Sequence, residues 1–266
     1  MKIGCNWSRA LKVLLENDAV NVDYIKSGAF GNFNKEFSNM RSLRPILVHG
    51  LGYFENAGTP SLDMIDFKVA NEIINKCGSP HYGFHLAIRN EDMFEGMSEA
   101  DIYSRMGKNI QLFKKNLSVP LLVENSPDTP SDRKDYDLYP FNEPDEINKL
   151  LIDNDVFFLL DITHAKLTAK FRGFDIYDYL NKLALDRVKE IHINGSGYDK
   201  DGFPMDTHEA MGEEDYELLK WVLRKSKPDI VTLEFNEVED ENYDEAIIAT
   251  EIQLNRINEI CLDKFI

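Results

Sequence analysis

Eight short apolar runs alternate with longer stretches of helical spacing, and that alternation limits the fold more than any other feature of the chain. The runs are KIGCNW (2–7), NVDYIK (21–26), PILVHG (45–50), YGFHLAI (82–88), PLLVEN (120–125), VFFLLDI (156–162), VKEIHI (188–193) and DIVTLEF (229–235). Between them, apolar residues recur every three or four positions. Examples are Leu11, Val13, Leu14 and Leu15, then Ile102, Met106, Ile110 and Phe113. Leu218, Leu219, Val222 and Leu223 follow, and after them Ile247, Ile248, Ile252, Leu254 and Ile257. Strands that are apolar on both faces suit a parallel sheet covered by helices. Eight strand–helix repeats in 266 residues match the size of a closed (β/α)8 barrel. A doubly wound open sheet is the alternative, but no GxGxxG follows the first run. No linker, repeat or low-complexity tract divides the chain. The expectation is an α/β protein, one (β/α)8 TIM barrel over residues 1–266.

Composition narrows the partners. The formal net charge is −17, which repels a phosphate backbone, so no nucleic acid is expected. Lys114–Lys115 reads as the polar face of a helix. No apolar run approaches the roughly 20 residues needed to cross a bilayer. The start, MKIGCNWSRALKV, lacks the apolar segment of a signal peptide. Three cysteines, Cys5, Cys77 and Cys261, without a CxxC pair, argue against a disulfide framework or thiolate zinc site. These features predict a cytoplasmic protein with reduced thiols, Cys5 being a buried structural thiol.

In a parallel barrel every strand ends at one mouth, where active sites are built. His49 ends the third run, His85 lies in the fourth, and Glu124 and Asn125 end the fifth. Asp161 and His164 follow the sixth, His192 lies in the seventh, and Glu234 in the eighth. Asp206 and His208 sit in the loop after the seventh. Five of the six histidines are in this set. Each member has an ordinary explanation alone: Asp161 as a helix cap, Asp206 and His208 as a polar turn, His49 as a satisfied strand end. Together they form a cluster of buried acids and imidazoles, with no Lys or Arg evident at the strand ends except Lys166, beyond the sixth. Metal ions are the natural neutralising partner. His81 is left as a structural or supporting residue. The irregular, proline-containing loop 126–144 and the segment Gly195–Met205 are the expected substrate-facing parts.

The ordered series His49, His85, Glu124, Asp161, His164, His192, Asp206, His208, Glu234, with its DxxH and DxH spacings, resembles the ligand order of xylose-isomerase-like and endonuclease IV-like barrels. The flanks "RPILVHGLGYFENAGTPSLD" (44–63), "GFHLAI" (83–88), "VENSP" (123–127), "YDYLNKLALDRVKEIHINGSG" (177–197) and "DTH" (206–208) resemble the multinuclear non-heme iron-dependent oxidases. The resemblance spans about residues 1–240. It implies one metal at His49, His85 and Glu124, and a second sharing Glu124 and adding Asp161, His192 and Glu234. A third would lie at His164, Asp206 and His208, with Asn125 as a supporting group. The side chains themselves suit iron, zinc or manganese; the resemblance supplies iron, two or three ions. It implies an O2-activating oxidase acting on a cysteine-containing peptide or small thiol, with a separate peptide-binding partner protein. Three alternatives use the same barrel: a metal-dependent phosphodiester hydrolase, a sugar or sugar-phosphate isomerase or epimerase, and a metal-binding barrel without chemistry.

Overall fold

The computed structural model describes residues 1–27, 33–50, 55–136, 138–236 and 243–263. Positions 51–54 of the stretch 44–63, Asp137 of the loop 126–144, and the last four positions of the span 1–240 lie outside the described residues. Each of the eight runs holds a strand. These are β1 (Lys2–Asn6), β2 (Tyr24–Ser27), β3 (Ile46–His49), β4 (Tyr82–His85), β5 (Leu121–Glu124), β6 (Phe157–Asp161) and β7 (Val188–Ile193). The last is β10 (Ile230–Leu233), which follows an inserted hairpin of β8 (Gly195–Tyr198) and β9 (Pro204–Glu209). All eight pair in parallel, and β1 against β10 closes the ring.

Helices fill the connections: α1 (Arg9–Glu16), α2 (Phe33–Leu43), α3 (Phe67–Cys77), α4 (Glu99–Asn116) and α5 (Pro144–Asn154). After β6 come α6 (Ile162–Arg172) and α7 (Ile176–Lys182), then α8 (Glu213–Lys225) and α9 (Tyr243–Asp263). Ile102, Met106, Ile110 and Phe113 of α4 are buried, as the helical spacing requires. Helix α9 differs from its sequence reading, because Ile248 and Ile252 are 55% and 60% exposed. The inward stripe runs instead through Ala246, Thr250, Leu254, Ile257 and Cys261, steps of three or four that place Ile248 and Ile252 on the far face.

Strand register explains why the mouth is polar. Side chains alternate faces with period two, and paired residues on neighbouring strands share a face. Thr232 pairs with His192 and with Gly4, His192 with Asp161, and Leu159 with Glu124. Glu124 pairs with His85, Gly83 with His49, Leu47 with Lys26, and Lys26 with Asn6. Following these pairs around the ring gives an inner layer of Gly4, Tyr24, Leu47, Gly83, Leu122, Leu159, Glu190 and Thr232. One pleat nearer the mouth lie Asn6, Lys26, His49, His85, Glu124, Asp161, His192 and, one residue past β10, Glu234. Each strand thus contributes one residue to a ring almost devoid of apolar groups. Cys5 falls on the opposite face and packs in the core at 1% exposure, where burial pushes its thiol up to about 12.

Candidate metal centre

Eight of the nine sequence-predicted ligands fall into three overlapping groups, within each of which the donor atoms lie no more than 4.8 Å apart. The first is His49, His85 and Glu124, and the second is Glu124, Asp161, His192 and Glu234. The third is Asp161, His164 and Asp206. Glu124 joins the first two groups and Asp161 the last two, and a carboxylate with two oxygens can do so.

Several contacts in the first two groups are short without being hydrogen bonds. His49 Nε2 lies 2.5 Å from Glu124 Oε2, yet neither atom has a hydrogen-bond partner. His192 Nδ1 stands 3.3 Å from Glu124 Oε1 and 3.4 Å from Glu234 Oε2 and is likewise unpartnered. Asp161 Oδ2 is buried and unpartnered. Polar atoms this deeply buried normally find partners. Here nitrogen and oxygen lone pairs converge on common points, the arrangement a cation satisfies.

The opposite edges of three imidazoles are pinned. His85 Nδ1 donates toward the Glu55 carbonyl at 3.3 Å, and His164 Nδ1 to the Asn125 carbonyl at 2.7 Å. His192 Nε2 lies 3.2 Å from Glu190 Oε1. Such partners fix the tautomer and turn the free nitrogen toward a metal. Asn125 also clamps β5 to β6: its side chain accepts from the Asp161 N–H and donates to the Asp161 carbonyl, both at 2.9 Å.

Asp161 caps a helix and also faces the candidate centre. It caps α6 by accepting from His164 N–H through Oδ1 at 2.7 Å, while Oδ2 points into the centre. His164, in the first turn of α6, therefore stands beside Asp206, with Nε2 3.0 Å from Oδ2. Asp206 and His208 lie on β9 rather than in a loop. His208 stands apart from the three groups. Asn236 Nδ2 donates to His208 Nδ1 at 2.9 Å, leaving Nε2 as a donor to Asp206 Oδ2, 3.1 Å away. Turning over the Asn236 amide would free that nitrogen.

The electrostatics mark a site built for positive charge. Burial works to raise the Glu124 carboxyl, but His85, His49 and His192 outweigh it and hold it well below the usual range. Burial pushes His49 down to about 3 and lifts Asp161 to about 6. Burial opposes a charge on His164, yet Asp161 and Asp206 carry it up to about 10. A proton on His164 thus neutralises acids that a bound cation would otherwise neutralise.

Three features escaped the sequence. The first is Lys26, the last residue of the run NVDYIK, which corrects the expectation that Lys166 alone brings a cation near the strand ends. Lys26 Nζ forms an ion pair with Glu234 Oε1 inside the mouth, whereas Lys166 pairs with Asp215. Alternation along β2 was the available signal. The second is Glu190, two residues before His192 on the same face of β7. It is 1% exposed and binds His81 Nε2 at 2.5 Å and Thr232 Oγ1 at 2.6 Å, besides His192. His81 accordingly supports the site from beneath. The third is Asn194, which donates to Asp206 Oδ1 at 2.6 Å and leaves Oδ2 facing His164.

A cavity of about 210 Å³ opens over the centre, lined by His85, His164 and Asp206 together with Asn56, Tyr136 and Leu138. Ser126, Pro127 and Asp132 of the loop 126–144 also line it, as expected of that loop. The segment Gly195–Met205 differs. Its Ser196, Tyr198 and Pro204 face a separate cavity of about 530 Å³ beside Lys170 and Phe174, lined by none of the nine predicted ligands.

Gly83 belongs to the site through what it lacks. A Cβ there would meet His49 Cδ2 at 2.7 Å and Leu159 Cδ1 at 3.1 Å. Gly83→Ala is therefore expected to displace the His49 ring and weaken metal binding by about 10–100-fold, as loss of an orienting contact does. Competition against a chromogenic chelator measures it, and unchanged affinity would show that the ring has room to spare.

Comparisons with known proteins bear on the fold and the family. A UPF0276 protein of Pseudomonas aeruginosa is 25% identical over 244 residues, covering 85% of this chain and 82% of that one. Among solved structures, a putative xylose isomerase from Rhodospirillum rubrum superposes with a TM-score of 0.66 at 15% identity, over 97% of this chain and 99% of that one. The IOLI protein, solved with a zinc atom, gives 0.65 at 13% identity, over 99% and 98%. These two share the closed (β/α)8 barrel fold of this chain. Residues 14–259 match the family described as RiPP precursor modification enzyme MbnB/TglH/ChrH, and the chain belongs to that family.

Proposed function

We propose that this protein is an iron-dependent oxidase that modifies a cysteine residue of a ribosomally made precursor peptide, using O2 and two or three metal ions. The observation that carries the reading is the convergence of buried, unpartnered donor atoms in three groups that share Glu124 and Asp161. Family membership supports a precursor peptide as the substrate class. Bound iron would supply O2 activation and a binding position for the cysteine sulfur. His49, His85 and Glu124 would hold one ion; Glu124, Asp161, His192 and Glu234 a second; and His164 and Asp206, with Asp161 or His208, a third.

The chain's own residues supply positioning. The cavity lined by Tyr136, Leu138 and Pro127 gives an apolar wall to an entering side chain, while Asn56 and Ser126 offer hydrogen bonds beside the metal ligands. Ser126 Oγ is buried without a partner, so it is free to bind an entering peptide group. The 210 Å³ volume admits one or two residues rather than a folded protein surface. A separate peptide-binding partner would then present the rest of the precursor.

Metal analysis with Mössbauer spectroscopy on protein produced without added metal tests the reading. Two or three irons per chain are expected; zinc alone, with cleavage of an abasic-site duplex, would replace the oxidase by a hydrolase. His164→Ala is expected to empty one site and leave the other two occupied. Loss of all metal from that variant would mean that the groups do not load separately.

A further inference from the structure

The segment 55–58 extends the wall of the mouth without belonging to any of the eight barrel strands. His85 N–H donates to the Glu55 carbonyl at 2.7 Å, Ala57 N–H to the His85 carbonyl at 2.8 Å, and Gly58 N–H to the Ala87 carbonyl at 2.7 Å. These bonds pair Asn56 with His85 in a parallel bridge. Paired residues share a face, so the Asn56 side chain projects into the mouth beside the His85 ring. Asn56 is 6% exposed and lines the cavity of about 210 Å³ over the candidate centre. Its side-chain amide makes no hydrogen bond to a described residue. Ser126, two residues beyond Glu124, lines the same cavity, and its Oγ is buried without a partner. Ala87, Pro127, Leu138 and Tyr136 make the rest of that wall mostly apolar.

We propose that Asn56, assisted by Ser126, recognises a peptide link next to the substrate cysteine and so selects a cysteine within a chain over a small free thiol. The inference rests on the function proposed above and names the group that the same cavity reads. An asparagine side chain offers a carbonyl acceptor and N–H donors, the complement of a peptide N–H and C=O. An entering peptide link can therefore satisfy both ends of the Asn56 amide, and the Ser126 hydroxyl can donate or accept beside it. An alkanethiol satisfies neither and leaves a buried amide shut off from water, which is how a site built for hydrogen bonds rejects a substrate that lacks them. The segment that presents Asn56 also holds His85: the Glu55 carbonyl takes Nδ1, while Nε2 stands 3.4 Å from Glu124 Oε2. Metal ligand and peptide reader are thus set side by side by one backbone segment.

The test uses protein loaded anaerobically with Co2+ and two thiol probes, N-acetylcysteine methylamide and 1-propanethiol. Binding of each is followed by the thiolate-to-cobalt absorption band. In the unaltered chain the amide probe is expected to bind about tenfold or more tighter than propanethiol, the worth of two neutral hydrogen bonds. Asn56→Leu, of similar volume, is expected to weaken the amide probe about tenfold and to leave propanethiol unchanged. Asn56→Ala is made alongside it, with folding checked by circular dichroism and cobalt by mass spectrometry. If the unaltered chain binds the amide probe no more tightly than propanethiol, the inference is wrong whatever the variants do. It is equally wrong if a folded, cobalt-loaded Asn56 variant keeps the ratio of the unaltered chain. If neither probe produces a band in the unaltered chain, the reading of a cysteine-binding metal centre fails, and this inference with it.

Discussion

Glu124→Ala is expected to strip metal from two of the three groups and to cut turnover on the order of a thousandfold or more. The estimate exceeds the 10–100-fold cost of losing an outer partner, because Glu124 is common to two groups. Glu124 is buried, and His85, His49 and His192 hold its carboxyl well below the usual range. Glu124→Gln keeps the volume but replaces one oxygen by a donor, so it too should fail to join the groups. Metal content by mass spectrometry decides: a variant that retains its full complement would show that the first two groups do not depend on a shared carboxylate. Either substitution also leaves His49 and His192 buried without a counterpart, so the folded fraction should be checked by circular dichroism.

Glu190→Leu should have the largest effect on stability, roughly 3–5 kcal/mol, by breaking a buried charged network. The leucine fills a similar space but leaves His81, His192 and Thr232 without their common partner. Burial works to raise the Glu190 carboxyl, but His81 and His192 outweigh that and hold it well below the usual range. A depressed carboxylate contributes stability that is full above its unfolded value and lost as pH falls through the folded one. The share of the stability difference carried by the Glu190 carboxylate should therefore shrink in acid, and the share carried by His192, whose raised value Glu190 helps to sustain, should shrink as pH rises above the ordinary histidine range. Urea denaturation at several pH values measures it, and equal midpoints at pH 7 would sink the claim. Metal affinity should fall by about 10–100-fold as well, since Glu190 orients His192.

Much of the candidate centre is legible in the sequence. Strand-end histidines and acids stand out against apolar neighbours, and eight of the nine fall into the metal-sized groups. His208 was harder, because its ring depends on Asn236, a residue with no signal of its own in the sequence. Lys26 and Glu190 were overlooked for a different reason. Each lies within a strand whose period-two pattern was visible, but a buried charge inside a barrel gains meaning only from its cross-strand neighbours. Register, rather than composition, carries that information. The fold was readable from alternation alone, whereas the hairpin β8–β9 was read as loop because its glycine-rich first strand lacks an apolar pattern.

Closure of the ring by β1 against β10 puts a clock on the centre. The first group is complete once residue 124 has been made, and the third once Asp206 has followed. The second waits for Glu234, 110 residues after Glu124. At about 5–20 residues per second, that interval is roughly 5–20 seconds of synthesis. Throughout it Lys26 has no Glu234 to meet, and β1 has an unpaired edge. The ring's last carboxylate arrives with the strand that seals the barrel, so assembly of the whole candidate centre and closure of the ring become a single late event.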